Sequence, residues 1–120
     1  MTKAVLLISH GSHSPRTKTE VRALIKQLQK KSPHTIFKYA FLEIASPSIP
    51  EGIDACIKDG AREVTVLLNF LNSGKHVNRD IPSIVKKARQ QYPRVKFVLT
   101  SPVGQHPRIA DLFTDIINGT

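Results

Sequence analysis

Two histidines far apart in the chain, His10 and His76, carry the side chains best suited to hold a metal ion. A neutral imidazole offers a nitrogen lone pair, and two of them facing one crevice suit a divalent transition metal. His10 ends the first apolar run in Ser9-His10-Gly11-Ser12, and His76 opens His76-Val77-Asn78-Arg79-Asp80-Ile81-Pro82. No local motif pairs them, so only a fold can. Glu43, in Phe41-Leu42-Glu43-Ile44-Ala45, would add a carboxylate. Two imidazoles and a carboxylate suit Ni, Co, Fe or Zn and leave open positions for exchange. Taken singly, each has a plainer reading: His10 as a polar residue closing a tight turn, His76 as a loop or helix-start residue, Glu43 as half of a structural salt bridge. Of the other histidines, His106 reads as a helix N-terminal residue, His13 as solvated in a Ser-His-Ser-Pro loop, and His34, beside Pro33, as surface.

The elements that must bring these residues together follow from periodicity. Lys3 to Ser9 is an apolar run without alternation, the pattern of a strand buried on both faces. Arg16 to Lys31 places Val21, Leu24, Ile25 and Leu28 at helical spacing, and Pro33 ends that helix. Thr35 to Phe41 is a second strand. Ser46-Pro47-Ser48 starts a second helix with Ile49, Ile53 and Ile57 on one stripe and Gly60 at its C-terminal end. Glu63 to Asn69 is a third strand, Asp80-Ile81-Pro82 lies near the start of a third helix reaching Gln91, Val95 to Thr100 is a fourth strand, and Pro107 to Asn118 a last helix. Strands alternating with helices predict a parallel α/β sheet with right-handed crossovers and helices on both faces. The expected strand order is 2-1-3-4. Ligands in such sheets bind outside the carboxyl ends of the strands where the order reverses, here between strands one and three. His10 follows the first, His76 the third, and Glu43 exits the second.

The same edge carries handles for anions. Ser9-His10-Gly11-Ser12-His13-Ser14 precedes a helix, and Asn72-Ser73-Gly74-Lys75 precedes the His76 segment. Free backbone N–H groups at a helix start, with hydroxyls beside them, hold carboxylates or phosphates. Neither stretch has Gly-x-Gly-x-x-Gly spacing or a terminal Gly-Lys-Ser/Thr, and no Gly-x-Ser-x-Gly supports a hydrolase triad.

Composition bounds the rest. The chain has 120 residues, which predicts one domain, and 40% of them are hydrophobic. Its one cysteine, Cys56, excludes an internal disulfide framework and reads as a small buried helix residue; a cytoplasmic location is the simplest inference. The first residues read as a strand, not a signal peptide, and no run is long enough for a membrane span. Eighteen Lys plus Arg against nine Asp plus Glu give +9, a balance suited to polyanionic company or simply to solubility. The basic residues are spread along the chain, and no DNA- or RNA-binding motif accompanies them, so no nucleic-acid partner is expected.

Together these residues make the chain resemble the small sirohydrochlorin chelatases of the CbiX/SirB type, class II tetrapyrrole chelatases. The resemblance rests on Ser9-His10-Gly11-Ser12, on Phe41-Leu42-Glu43 followed by Pro47-Ser48-Ile49, and on Gly60-Ala61. It continues through Phe70-Leu71 with Gly74-x-His76, Asp80-Ile81-Pro82, and Gly104-x-His106-Pro107. Many relatives have Pro-x-Phe-Leu where Leu68 and Asn69 precede Phe70 here. The resemblance implies a flavodoxin-like half of the chelatase fold over residues 1–120 and insertion of Co²⁺, Ni²⁺ or Fe²⁺, with no other cofactor, into sirohydrochlorin. The route would be that of sirohaem, cobalamin or a nickel tetrapyrrole. It also implies His10 and His76 as metal-holding and catalytic residues with Glu43 beside them, and a homodimer to enclose the macrocycle. Ser12, Lys75 and Arg79 are the candidate anchors for the substrate's carboxylates. The alternatives are a non-catalytic metal or tetrapyrrole carrier, and a flavodoxin-like nucleotide or nucleic-acid module favoured by charge alone.

Overall fold

The computed structural model describes residues 2–119, the side chain of His76 excepted. Four parallel strands, β1 (Lys3–Ser9), β2 (Ile36–Phe41), β3 (Glu63–Leu68) and β4 (Lys96–Leu99), form one sheet in the order β2-β1-β3-β4. That is the expected order, and it puts the reversal between β1 and β3, which pair from Lys3↔Glu63 to Ile8↔Leu68.

One sheet face is covered by α2 (Ile49–Lys58) and α3 (Ile81–Gln91). Leu6, Ile8, Val64, Val66 and Phe97 from the strands meet Ile53 and Cys56 from α2 and Ile81 and Val85 from α3. The opposite face carries α1 (Pro15–Lys31), whose Val21 packs on Leu7 and Phe41. α4 (Ile109–Ile117) stands off the sheet with no buried residue. Among the described residues no helix is long and apolar enough to cross a membrane.

Local chemistry accounts for the boundaries. Ser14 caps α1, its hydroxyl accepting from the Arg16 N–H, with Pro15 in the first turn where the missing N–H costs nothing. Ser48 and Glu51 form a reciprocal capping box at α2, and this backbone hydrogen bond holds the exposed Glu51 carboxyl below its usual pKa. Burial pushes the Cys56 thiol up to about 11, so it stays protonated and unreactive near neutrality.

The segment before α3 differs from expectation. His76–Asp80 is a π-helical turn running directly into α3. Pro82 has no N–H for the carbonyl four residues back, and its ring would press on that carbonyl in an ordinary α turn. A widened turn relieves both. Val77, buried with Ile81, anchors the turn in the core.

α2 lies close on the sheet because Gly52 allows it. A Cβ there would stand 2.8 Å from Leu6 Cδ1 and 2.9 Å from Ala40 Cβ. Gly52→Ala is expected to destabilise the fold by about 1–3 kcal/mol through overpacking, despite alanine's better helix propensity. Urea unfolding checks this; a stabilised variant would contradict the close packing.

Candidate functional site

At the carboxyl edge the strand exits are tied to one another by main-chain hydrogen bonds. Leu42 N–H donates to Ser9 O (2.9 Å) and Glu43 N–H to His10 O (3.0 Å), so the segment after β2 is laced to the segment after β1. Gly11, at φ +112°, lies so close to this segment that a Cβ would stand 1.8 Å from the Glu43 carbonyl oxygen. Ile44 takes a positive φ of 72°, rare for a β-branched residue, and the Ala45 N–H closes the turn on Glu43 O at 2.8 Å. A strained turn held by its neighbours on both sides fixes where Glu43 points.

It points at His10. His10 Nε2 lies 2.6 Å from Glu43 Oε1, with the side chains 52% and 46% exposed. A carboxylate on one imidazole nitrogen fixes the ring's orientation and tautomer and raises its strength as a donor. Half-exposure leaves the pair open to an ion from solvent. Among the described residues no group of three or more His, Cys, Asp or Glu side chains comes together. The described part of the candidate ligand set is therefore this imidazole–carboxylate pair.

His10 borders a pocket of about 430 Å³, lined also by Asn69, Phe70, Leu71, Asn72, Gly74, Lys75 and Val77. Its walls thus come from the exits of β1 and β3, the two strands flanking the reversal. Lys75 and Val77 both line it, which puts the His76 backbone on its rim; the His76 side chain lies outside the described residues. Of the candidate anchors, Lys75 shares the pocket with His10. Ser12 lines a neighbouring depression with Ser14, Lys18 and Arg22. Arg79 is exposed on the π turn and lines neither. His13 and His34 are exposed, and His106 receives the Arg108 N–H on Nδ1 (3.0 Å) in the turn before α4.

Asn69 was not among the candidate site residues, although it stands where many relatives have a different residue pattern. Its side chain donates to Ser9 Oγ (3.1 Å) and its N–H to Ile8 O (2.9 Å), joining the β3 exit to β1 under the pocket. Leu71, 60% exposed in the same wall, and Ile44, 53% exposed beside Glu43, give the edge an apolar surface next to its polar pair.

A four-stranded parallel α/β sheet with an imidazole, a carboxylate and a pocket at its switch point has the architecture of the flavodoxin-like class. More narrowly, the chain belongs to the CbiX family, whose sequence model matches residues 4–120. It is 34% identical to the sirohydrochlorin ferrochelatase of Priestia megaterium, over 98% of this chain and 44% of that protein. It is 28% identical to the sirohydrochlorin cobaltochelatase of Methanococcus maripaludis, over 98% of this chain and 99% of that one. Among solved structures it is similar to the sirohydrochlorin chelatase SirB from Bacillus subtilis subspecies spizizenii in complex with cobalt. The TM-score is 0.84 at 25% identity, covering 99% of this chain and 51% of the other. The chain spans about half the length of the curated sirohydrochlorin ferrochelatases it matches.

Proposed function

We propose that the carboxyl edge inserts a divalent metal ion (Co²⁺, Ni²⁺ or Fe²⁺) into a sirohydrochlorin-like polycarboxylate tetrapyrrole. The observation that carries this is the His10–Glu43 pair, locked by the Gly11–Glu43 interlock at the switch point and open to solvent beside an apolar pocket. Family membership supports the reaction class, and similar proteins solved with cobalt and with Fe³⁺ support a transition metal as the ion handled.

Insertion exchanges two pyrrole N–H protons for one M²⁺, so the site must hold an ion and accept a proton. His10 and His76 hold the ion through neutral nitrogens and hand it to the ring; His10 then takes one pyrrole proton, which Glu43 relays to solvent, and water takes the second. A general base near neutral pKa contributes about 10²–10⁴ in rate. Leu71 and Ile44 offer apolar contact to the macrocycle face. Lys75 anchors a ring carboxylate within the pocket, while Ser12 and Arg79 take carboxylates further out. A second copy of this half-domain supplies the opposing wall, no nucleic acid is involved, and the setting is the cytosol.

The net charge of +9 steers the polyanionic substrate. Raising salt from about 50 to about 500 mM shortens the screening length and is expected to lower kcat/KM several-fold with kcat little changed. A kcat/KM indifferent to salt removes the steering. The reading as a whole is tested by following the sirohydrochlorin absorbance with Co²⁺, Ni²⁺ and Fe²⁺, with and without protein. Accelerated metallation by at least one ion is expected, and identical rates with and without protein overturn the proposal.

A further inference from the structure

Metal insertion releases two protons, and His10 accounts for one of them. The wall of its pocket holds another group with a lone pair to offer. Among the lining side chains Phe70, Leu71 and Val77 are apolar, and the Lys75 ammonium only donates hydrogen bonds. Asn72 is exposed, while Asn69 stands half-buried where the chain leaves β3.

The Asn69 amide is oriented by the frame around it. Its Nδ2 donates to Ser9 Oγ (3.1 Å), and its main-chain N–H donates to Ile8 O (2.9 Å). Ser9, 7% exposed, is the one buried polar residue among the described residues, and its carbonyl accepts the Leu42 N–H at 2.9 Å. The hydroxyl that holds Asn69 therefore belongs to a residue fixed from the β2 exit as well. On the other side, the Leu68 N–H donates to Thr100 Oγ1 (3.1 Å) and the Thr100 N–H to Val66 O (3.1 Å), which pins the β3 exit to the β4 exit. With Nδ2 spent on Ser9, the acceptor Oδ1 keeps its lone pairs, and no donor among the described residues reaches it. Such an acceptor is satisfied by what the pocket holds, water or ligand.

We infer that Asn69 is a positioning residue for the second proton, its Oδ1 holding the water that takes it. The water donates one hydrogen to Oδ1 and aims a lone pair at a pyrrole N–H. As that N–H bond breaks, its electron pair stays on the pyrrole nitrogen, which binds the metal. The proton turns the water into a hydronium ion, which gives it up to solvent through the open pocket. The partial negative charge on the amide oxygen favours this cation as it forms, and an amide already fixed in place need not reorganise. A neutral amide also avoids the competition for the metal that a second carboxylate would bring. The inference rests on the proposed function and adds a residue to its chemistry.

Single-turnover insertion of Co²⁺ into sirohydrochlorin, with protein in excess, tests it. Asn69→Ala is expected to lower the insertion rate constant at least ~10-fold, with circular dichroism and the affinity for Co²⁺ alone unchanged. Acetate, a small base able to enter the vacated space, should restore part of the rate in Asn69→Ala and leave wild type unaffected. Ser9→Ala keeps the amide but removes the hydroxyl that orients it, and should fall between the two. Asn69→Ala at the wild-type rate, a loss that acetate does not restore, or a weakened Co²⁺ affinity overturns the inference and leaves the proposed function standing. Wild-type protein that inserts no faster than the protein-free control overturns the proposed function, and the inference with it.

Discussion

His10→Ala is expected to slow metal insertion by about 10²–10⁴-fold, the usual worth of a positioned proton acceptor. The melting temperature should stay within about 3 °C of wild type, since the side chain is half-exposed and fills no core space. Both halves of the result matter, because a loss of rate with a loss of fold would say nothing about chemistry. Glu43→Gln should fall between, at about 10–100-fold, because it keeps the shape of the partner and removes the charge that orients and strengthens the imidazole. Steady-state insertion kinetics and thermal unfolding of the same preparations read both. A His10→Ala protein with wild-type turnover would remove this pair from the reaction.

Gly11→Ala adds one methyl group and is expected to damage fold and site together. Its φ of +112° lies in a region that costs an L side chain about 1–3 kcal/mol. The new Cβ would also meet the Glu43 carbonyl oxygen at 1.8 Å, so the backbone that carries the carboxylate must retreat. Overpacking of this kind typically adds 1–3 kcal/mol, for a total of about 3 kcal/mol and a melting temperature lower by roughly 10 °C. The same retreat pulls Glu43 off His10. Insertion measured well below the new melting temperature should therefore fall toward the Glu43→Gln level, although neither side chain has changed. A folded Gly11→Ala variant with full activity would show that the interlock does not position the pair.

Much of this architecture was legible in the sequence because its signals are local. The unbroken apolar run from Ala4 to Ile8 marks a strand covered on both faces, and Ser48 with Glu51 writes the start of α2 into four residues. The π turn was not legible: Pro82 looks like an ordinary first-turn proline, and whether the helix stops or widens depends on Val77 finding the core. The spacing Val77, Ile81, Val85 is the one sequence signal for a continuous helical segment through the proline. Ends of strands moved for the same reason, with Asn69 leaving β3 to tie the exits together.

The site shows the same division. His10 and Glu43 could be placed at one edge from topology, but their contact depends on a turn with a positive φ at Ile44, a residue type that gives no warning of it. Phe70 and Leu71 were visible as part of a family string, and Asn69 as a departure from it, but none of them as pocket wall, because a wall exists only once β3 lies beside β1. The outward stance of α4 had no local signal at all. An apolar stripe says that a helix packs, never on which sheet.

Turnover separates an edge that inserts the metal, as proposed, from one that merely carries a metal or a ring. The most direct measurement follows sirohydrochlorin absorbance with protein at about one-hundredth of the tetrapyrrole and the metal in excess, against a protein-free control. Many turnovers per polypeptide above the spontaneous rate are expected. A single stoichiometric phase followed by the spontaneous rate would contradict it and identify the protein as a carrier.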